Sequence, residues 1–498
     1  MSMKDRTDSV WETVGLPVFS EIREDVRTEV CVIGAGLSGL SIAYELARRG
    51  KKVTLLESFR IGSGQSGRTT AHLSCQLEEE FSDLLRMHDL STVRKFLEAH
   101  RSAIDIIENI VEQEEIHCDF RRVDAYLFAG EGSRENLLLK EREAAMKCGL
   151  ILDPVLKTPL LKEKTAGLRF ANQAQFHPLK YMKGLLQCLQ DLGVTIYENT
   201  RVTEIENPTP DLSLIRTEHK KDIQADFVVV ATDSPINTRF HIHTKQAAYR
   251  TYAVTFDYPG EHENVLLWDT EDPYHYVRIH EGKLIVGGED HRVGQNPEGN
   301  PFENLEHWTR KNFEGVGLML DKWSGQVFEP ADTIGYIGKN PGTDRNIYIA
   351  TGYSGSGMTS AVIASQIIPQ LIDGRAHPLA DIFDPKRPPI RNMSEFVKEN
   401  MNVAFQYTDW LTGSDVKSEE EIPEDTGCLM RHGLTKACVY HEHGDSFERK
   451  SAVCTHLGGI VHWNDIEKTW DCPAHGSRFN THGTPIEGPA ISELSPEP

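Results

Sequence analysis

The 498 residues are too many for one compact core, so about two or three domains are expected. The formal net charge of -22 argues against a nucleic-acid partner, and no run reaches the ~20 apolar residues of a membrane span. Nine cysteines without a pairing pattern exclude a disulfide framework, and residues 1–14 lack the apolar stretch of a secretory signal, so the cytoplasm is the expected compartment.

The first predicted elements are a buried strand, a glycine-rich turn and a helix. Residues 28–33 are apolar and β-branched, and residues 40–49 carry apolar side chains at helical spacing. Gly34 permits the tight turn, Gly36 lets the backbone approach a pyrophosphate, and Gly39 allows close packing of helix on strand. The free N–H groups at the helix N-terminus then favour phosphates. Together these features predict a dinucleotide-binding fold.

Glu57 ends the second predicted strand, residues 52–56. At this position of the fold a carboxylate binds the ribose hydroxyls of adenosine, which disfavours NADP with its additional phosphate. The choice between NAD and FAD depends on later segments.

A second small, polar loop, residues 61–72, follows this strand. Alone, the loop is also compatible with a surface turn. Together with the glycine-rich turn, it resembles the FAD-dependent oxidoreductases of the D-amino-acid oxidase and glycine/sarcosine oxidase group, in which this loop runs along the pyrophosphate toward the isoalloxazine ring. The resemblance implies FAD contacts from Gly67, Thr69, Thr70 and His72. Whether the flavin is covalently bound stays open, with His72 as one candidate anchor.

Three later segments continue the resemblance in chain order. Residues 193–202 end at Val202, in the strand whose backbone contacts adenine in this group, and residues 226–232 form a hydrophobic strand that closes on small residues. Residues 347–359 pass from a strand through a glycine loop into a helix, whose positive end would stabilise a reduced, anionic flavin. A simple NAD domain needs no such third contact, so FAD is favoured. The implied flavin contacts in this last segment are Gly352, Gly355, Gly357 and Met358.

Two inserts lie between these segments, residues 77–175 and 241–326, and the resemblance implies that they form the substrate subdomain over the flavin. Strand alternation in the second insert places Tyr274, Tyr276 and Arg278 on one face. As catalytic-site residues, Arg278 would bind a substrate carboxylate, and Tyr274 and Tyr276 would line the substrate pocket. The alternative is a solvated sheet face with packed aromatic side chains.

The expected FAD-dependent oxidoreductase domain spans residues 1–390. Residues 391–411 are expected to form a connecting helix, and residues 412–498 a small domain of short alternating strands. The expected fold class is therefore an α/β FAD-binding, Rossmann-like domain with an inserted α+β substrate domain, followed by a C-terminal all-β domain.

Two loops of the C-terminal domain each supply one cysteine and one histidine. Cys454 pairs with His456, and Cys472 pairs with His475. A Rieske [2Fe-2S] cluster needs this set, because two thiolates hold one iron and two imidazoles hold the other. Zinc accepts the same atoms, but its usual spacing pairs Cys with Cys and His with His. The mixed pairing within each loop favours the two-iron cluster.

Residues 412–498 resemble the Rieske fold throughout, including the flanks of both ligand loops. Rieske proteins of the cytochrome bc type carry one additional cysteine in each loop, and the two are joined as a disulfide. Those positions are Gly459 and Ala474 here. The resemblance therefore implies a cluster without a disulfide staple, as suits a reducing compartment.

A flavin and a one-electron cluster on one chain predict an oxidoreductase. By resemblance, the enzyme is expected to oxidise a small amine or amino acid by hydride transfer to FAD. Electrons would then leave one at a time through the [2Fe-2S] cluster to a one-electron carrier protein. Two alternatives stay open: a reductase with electrons entering through the cluster, and an electron-transfer or redox-sensing protein without an organic substrate.

Overall fold

The computed structural model describes residues 8–75, 80–130, 136–209, 211–236, 242–342, 346–388, 409–410, 413–433, 435–444 and 446–497. The predicted connecting helix, residues 391–411, lies outside the described residues except for Asp409 and Trp410. Residues 8–388 are called the N-terminal portion below, and residues 413–497 the C-terminal module.

Eight α-helices lie within the described residues, all in the N-terminal portion, and each is too short or too polar to cross a lipid bilayer. Their bounds are α1 Leu37–Arg48, α2 Phe81–Met87, α3 Leu90–Gln113, α4 Asn136–Cys148, α5 Pro178–Asp191, α6 Pro301–Asn312, α7 Gly357–Ile372 and α8 Ala380–Phe383.

Strands account for most of the remaining regular structure. Those of the N-terminal portion are β1 Val26–Ile33, β2 Val53–Leu56, β3 His72–Leu73, β4 Arg121–Phe128, β5 Asp153–Val155, β6 Gly167–Gln175, β7 Thr195–Tyr197, β8 Val202–Thr209, β9 Leu212–Thr217, β10 Asp222–Val230, β11 Gln246–Asp257, β12 Val265–Asp269, β13 Tyr276–His280, β14 Lys283–Arg292, β15 Met319–Pro330, β16 Tyr336–Lys339 and β17 Ile347–Thr351. Those of the C-terminal module are β18 Thr426–His432, β19 Thr435–His441, β20 Phe447–Ser451, β21 His462–Asn464, β22 Thr469–Asp471, β23 Arg478–Phe479 and β24 Pro485–Glu487.

The first sheet has the order β16-β17-β10-β1-β2-β7, and β9 and β8 extend it from β10. Strands β17, β10, β1, β2 and β7 run parallel. The second half of β1 and all of β2 are buried, as expected where helices cover a parallel sheet. Helix α1 packs against α5 and α7. The carboxyl ends of β1, β2, β10 and β17 therefore meet at one edge of the sheet.

The second sheet has the order β15-β11-β14-β13-β12-β4-β6-β3, with β5 paired to β6. Its strands come from residues 72–175 and 246–330. In the sequence, each of these segments lies between two groups of strands that belong to the first sheet. Helix α6 covers β11 and β14, and α3 packs against α7. Residues at the ends of the parallel strands and residues of the second sheet line one cavity, so the second sheet lies beside this edge.

The C-terminal module consists of two small antiparallel sheets, β18-β19-β20 and β21-β22-β23-β24. Its main core contains Trp470 and Phe479 together with the two ligand cysteines, Cys454 and Cys472. The ligand loops are therefore anchored in the best-packed part of the module.

Candidate functional site

One cavity of about 350 Å³ is lined by residues of both large sheets and of the C-terminal module. This volume lies within the range of small-molecule sites. Three of the predicted FAD contacts, Gly39, Gly67 and Gly352, stand outside the lining. The predicted contacts that line the cavity are Gly34, Gly36, Glu57, Thr69, Thr70, His72, Val202, Gly355, Gly357 and Met358.

The turn after β1 has no room for side chains at two positions. Gly34 has a φ of 98°, and a Cβ placed there would lie 2.4 Å from the Ala231 carbonyl oxygen. A Cβ at Gly39 would lie 1.8 Å from the carbonyl oxygen of Gly34, so α1 packs directly on the turn. Gly36 is the N-cap of α1 and lines the cavity. The positive end of α1 thus meets the cavity, in the arrangement that binds phosphate.

Glu57 follows β2 and lines the cavity beside this turn. Its carboxylate accepts hydrogen bonds from the N–H groups of Ala35 and Phe59, each at 3.0 Å. These bonds hold the carboxylate where a ribose hydroxyl can donate to it. Arg201 lies over the ring of Phe59, with 4.6 Å between the guanidinium carbon and the ring centroid, and both residues line the cavity.

The second polar loop packs on the first. A Cβ at Gly67 would lie 2.0 Å from the carbonyl oxygen of Gly62. Only glycine therefore fits at this position, although Gly67 itself does not line the cavity. The Ser66 hydroxyl accepts a hydrogen bond from the Leu37 N–H at 2.8 Å, so it joins this loop to the first turn of α1. Ser66 lines the cavity and is a contact that the sequence motif does not single out.

His72 is a neutral histidine in the cavity wall. Burial and the nearby charge of Arg278 lower the pKa of His72 to about 3. Its Nε2 donates to the Val277 carbonyl oxygen at 3.3 Å, and its Nδ1 therefore accepts from the Thr70 hydroxyl at 2.9 Å. Both ring nitrogens thus bond within the protein.

The third glycine loop connects β17 to α7. Gly352 has a φ of 72°, and a Cβ there would lie 2.9 Å from Gln246 Oε1. Gly357 and Met358, the first residues of α7, line the cavity. The positive end of a 16-residue helix therefore meets the cavity, as the sequence leads one to expect for a site that stabilises negative charge.

Aromatic side chains from the second sheet form another part of the wall. Tyr274, Tyr276 and Trp268 all line the cavity, and the two tyrosine ring centroids are 5.6 Å apart. The Tyr276 hydroxyl and Thr251 Oγ1 are 2.6 Å apart. A Cβ at Gly287 would lie 2.1 Å from the ring of Tyr276, so only glycine at this position leaves room for the ring.

The sequence predicts that Arg278 shares one strand face with Tyr274 and Tyr276. The two tyrosines line the cavity, but Arg278 does not. Its side chain is fully buried, and Nη1 donates to the carbonyl oxygens of Thr70, Ala71 and Phe176 at 2.8–3.0 Å. Burial lowers the pKa of Arg278 to about 9. The guanidinium thus braces the loop that carries Thr70 from the side away from the cavity.

The two ligand loops of the C-terminal module repeat one backbone pattern. The Cys454 N–H donates to Gly459 O at 2.8 Å, and the Gly458 N–H donates back to Cys454 O at 3.0 Å. In the second loop, the Cys472 N–H donates to Ser477 O at 2.8 Å, and the Gly476 N–H donates to Cys472 O at 3.0 Å. Both Gly458 and Gly476 have a positive φ, near 80°. The chain therefore presents two equivalent loops to one site.

These loops bring the four predicted ligands together. A Cβ placed at Gly459 of the first loop would lie 3.1 Å from Cys472 Sγ of the second, and the rings of His456 and His475 are 5.1 Å apart. Three of the four ligands are buried and His456 is half-buried. This set of two thiols and two imidazoles, one of each from each loop, fits a two-iron cluster. A Cβ at Gly459 would lie 3.1 Å from the Cβ of Ala474, so the positions of the bc-type disulfide also face each other here.

The ligand loops face the N-terminal portion. His243 lies against both ligand rings, with centroid distances of 4.6 Å to His456 and 5.9 Å to His475. Gln326 Nε2 donates to the Gly476 carbonyl oxygen at 2.9 Å, and Gln326 also lines the cavity. A single side chain therefore connects the cavity wall to a cluster loop.

A buried ionic network fixes this orientation. Arg250 of β11 pairs with Glu467 at 2.5 Å and with Glu487 at 3.1 Å. Arg478 pairs with the same two carboxylates, and with Asp471 at 2.9 Å. Burial alone would raise the pKa of Glu467, but the charges of Arg250 and Arg478 lower it to about 2. Because removing one partner would leave a buried charge uncompensated, the network holds the module in place.

Comparison with known proteins agrees with both halves of this site. Residues 29–371 match the FAD dependent oxidoreductase family, and residues 414–497 match the Rieske [2Fe-2S] domain. The YhfW protein of Bacillus subtilis, described as a Rieske 2Fe-2S iron-sulfur protein, is 30% identical over 99% of this chain and 97% of its own. Gamma-glutamylputrescine oxidoreductase of Escherichia coli is 24% identical over 72% of this chain and 85% of its own. The fold also resembles crystalline glycine oxidase of Geobacillus kaustophilus, with a TM-score of 0.63 and 19% identity over 73% of this chain and 99% of that one.

Proposed function

The chain belongs to the FAD-dependent oxidoreductase family and ends in a Rieske [2Fe-2S] domain, and from this premise we propose that it oxidises a small amine or amino acid and passes the electrons to the cluster. Bound FAD accepts a hydride from an organic substrate, whereas a [2Fe-2S] cluster exchanges single electrons. Such a pair of cofactors suits a two-electron oxidation whose electrons are delivered one at a time to a one-electron carrier protein.

Three parts of the cavity wall have the chemistry that the parts of FAD require: the pyrophosphate, the ribose and the flavin ring. Two loops with crowded glycines at Gly34, Gly39 and Gly67 and the N-terminus of α1 suit the pyrophosphate. Glu57 suits a ribose, and the N-terminus of α7 suits the flavin ring. In the proposal, Gly34, Gly36 and Gly39 shape the dinucleotide site, and the irons are held by Cys454, His456, Cys472 and His475.

The observation that carries the proposal is the contact between the cluster loops and the cavity wall. Gln326 lines the cavity and donates a hydrogen bond to Gly476, the residue that follows ligand His475. Phe328, which also lines the cavity, would contact a Cβ at Gly476 at 3.6 Å. Electrons that leave the cavity toward the cluster thus cross a packed interface within one chain.

The names of relatives and the aromatic wall support the proposed substrate class. Two relatives are named for compounds with C–N bonds, glycine and gamma-glutamylputrescine. We assign substrate contacts to Tyr274 and Tyr276, which line the cavity, and a positioning role to Arg278, which braces the Thr70–Ala71 backbone. A cytoplasmic location belongs to the same proposal, because the cluster loops lack the paired cysteines of the bc type.

An anaerobic substrate screen tests this function. The purified holoprotein is mixed with single amines, amino acids and hydroxy acids, while the flavin absorbance and the EPR signal of the reduced cluster are followed. We expect bleaching with at least one amine or amino acid, followed by the cluster signal. Bleaching only with hydroxy acids would contradict the substrate class. No bleaching with any organic donor, combined with reduction by a ferredoxin-type donor, would favour the electron-transfer alternative.

A further inference from the structure

Part of the wall of the FAD cavity comes from the Rieske domain. Residues 485–491, which include β24 and the turn after it, supply five lining residues: Ile486, Glu487, Gly488, Ala490 and Ile491. The sequence motifs of the FAD family all lie in the N-terminal portion, so they give no indication of this contribution.

The segment packs on two residues that also line the cavity in the N-terminal portion. Gln65 Nε2 donates to Glu487 Oε1 at 3.0 Å, and Gln65 belongs to the second polar loop. Arg201 Nη2 donates to the Pro485 carbonyl oxygen at 3.3 Å, and Arg201 precedes β8. The Rieske segment therefore bridges the loop expected at the pyrophosphate and the strand expected at adenine.

The same segment is tied to the cluster. The Ala490 N–H donates to Ser477 Oγ at 3.0 Å, and Ser477 follows ligand His475 by two positions in the second ligand loop. The Ser477 carbonyl oxygen also accepts a hydrogen bond from the N–H of ligand Cys472 at 2.8 Å. Glu487, in turn, is held by Arg250 and Arg478 of the interdomain network. A shift of the segment would thus disturb the cavity, the cluster loop and the interface together.

We propose that residues 485–491 of the Rieske domain form part of the FAD-binding site, so that FAD binding and docking of the Rieske domain stabilise each other. The reasoning is linkage: a ligand that contacts both domains binds the docked form more tightly than an undocked one, and it shifts the equilibrium accordingly. The inference rests on the FAD site of this family and does not depend on the identity of the substrate.

Gly488 offers a direct test, because it lines the cavity and a Cβ placed there meets no atom within 4 Å. We expect Gly488→Leu to bind FAD at least about tenfold more weakly, since overfilling a packed site costs on the order of 1–3 kcal/mol. Gly413→Leu is the matched control, because Gly413 also has open space in the same domain but does not line the cavity. Gly357→Leu, on the opposite domain's wall, should weaken FAD binding as well.

FAD affinity is measured by titration of flavin-depleted protein, and iron content and the EPR signal report whether each variant still carries its cluster. Wild-type FAD affinity in a cluster-loaded Gly488→Leu protein would overturn the proposal. Should that variant fail to fold, hydrogen–deuterium exchange of the wild-type protein decides. FAD should slow exchange in residues 485–491, and unchanged exchange there would overturn the proposal. Neither readout involves turnover, so a negative substrate screen leaves this inference standing, and a negative result here leaves the proposed reaction standing.

Discussion

The Cys472→Ser protein is expected to retain FAD and to bleach with substrate, yet to lose its cluster and its ability to reduce a one-electron carrier. Cys472 is buried in the core of the Rieske domain and is one of two thiol ligands. Even groups that only support a metal ligand contribute about 10–100-fold to metal affinity, so loss of a ligand should exceed about 100-fold. Iron analysis and EPR report the cluster, anaerobic bleaching reports the flavin, and reduction of a one-electron acceptor reports electron delivery.

Cys428→Ser is the control for this variant. Cys428 lies in β18 of the same domain, is half-buried and has no place in the ligand loops. We expect it to keep wild-type iron content and carrier reduction. A Cys472→Ser protein with the same iron content and EPR signal as this control would contradict the ligand assignment.

Gly39→Ala should have the converse effect, with loss of FAD and retention of the cluster. A Cβ at Gly39 would lie 1.8 Å from the Gly34 carbonyl oxygen, so the backbone of the phosphate-binding turn must move. Alanine is favoured over glycine inside a helix by about 1 kcal/mol, so propensity alone predicts a more stable α1. We expect the steric clash to outweigh the gain in helix propensity. FAD binding should then weaken by about 100-fold, a change of about 3 kcal/mol.

Gly64→Ala separates this effect from a general intolerance of side chains in the cavity. Gly64 lines the cavity, its φ is -86°, and a Cβ there meets no atom within 4 Å. It should bind FAD within about twofold of wild type, because Gly64 is exposed and alanine adds a single methyl group, whereas leucine at the half-buried Gly488 adds a branched side chain. Equal FAD affinity of Gly39→Ala and Gly64→Ala in gel-filtered protein would contradict the account of the turn.

The features that sequence predicts best here are those whose chemistry is local. The glycines of the dinucleotide turn lie within six consecutive residues, and each pair of cluster ligands lies within one loop, so spacing alone indicates the chemistry. The predicted recognition, fold class and cofactors are confirmed by the two family matches. The residues assigned to substrate and cofactor contacts stay predictions.

Contacts between residues far apart in the chain could not be predicted from the sequence. Strand alternation groups Arg278 with Tyr276, but it cannot show that Thr70, Ala71 and Phe176 present three carbonyl oxygens to that guanidinium. Nor does any motif indicate that Gln326 meets Gly476 and shares the cavity wall with residues 485–491, because 150 residues separate Gln326 from Gly476 in the chain and only docking of the Rieske domain unites them. These contacts carry the proposed electron route, and they are visible only in three dimensions.

The central claim is that electrons pass from the FAD site to the cluster within one chain. Rapid-freeze EPR after anaerobic mixing of holoprotein with a substrate identified in the screen tests it most directly. We expect the reduced-cluster signal to appear with a first-order rate that is independent of protein concentration. A rate that rises in proportion to protein concentration, or flavin bleaching without any cluster signal, would contradict it.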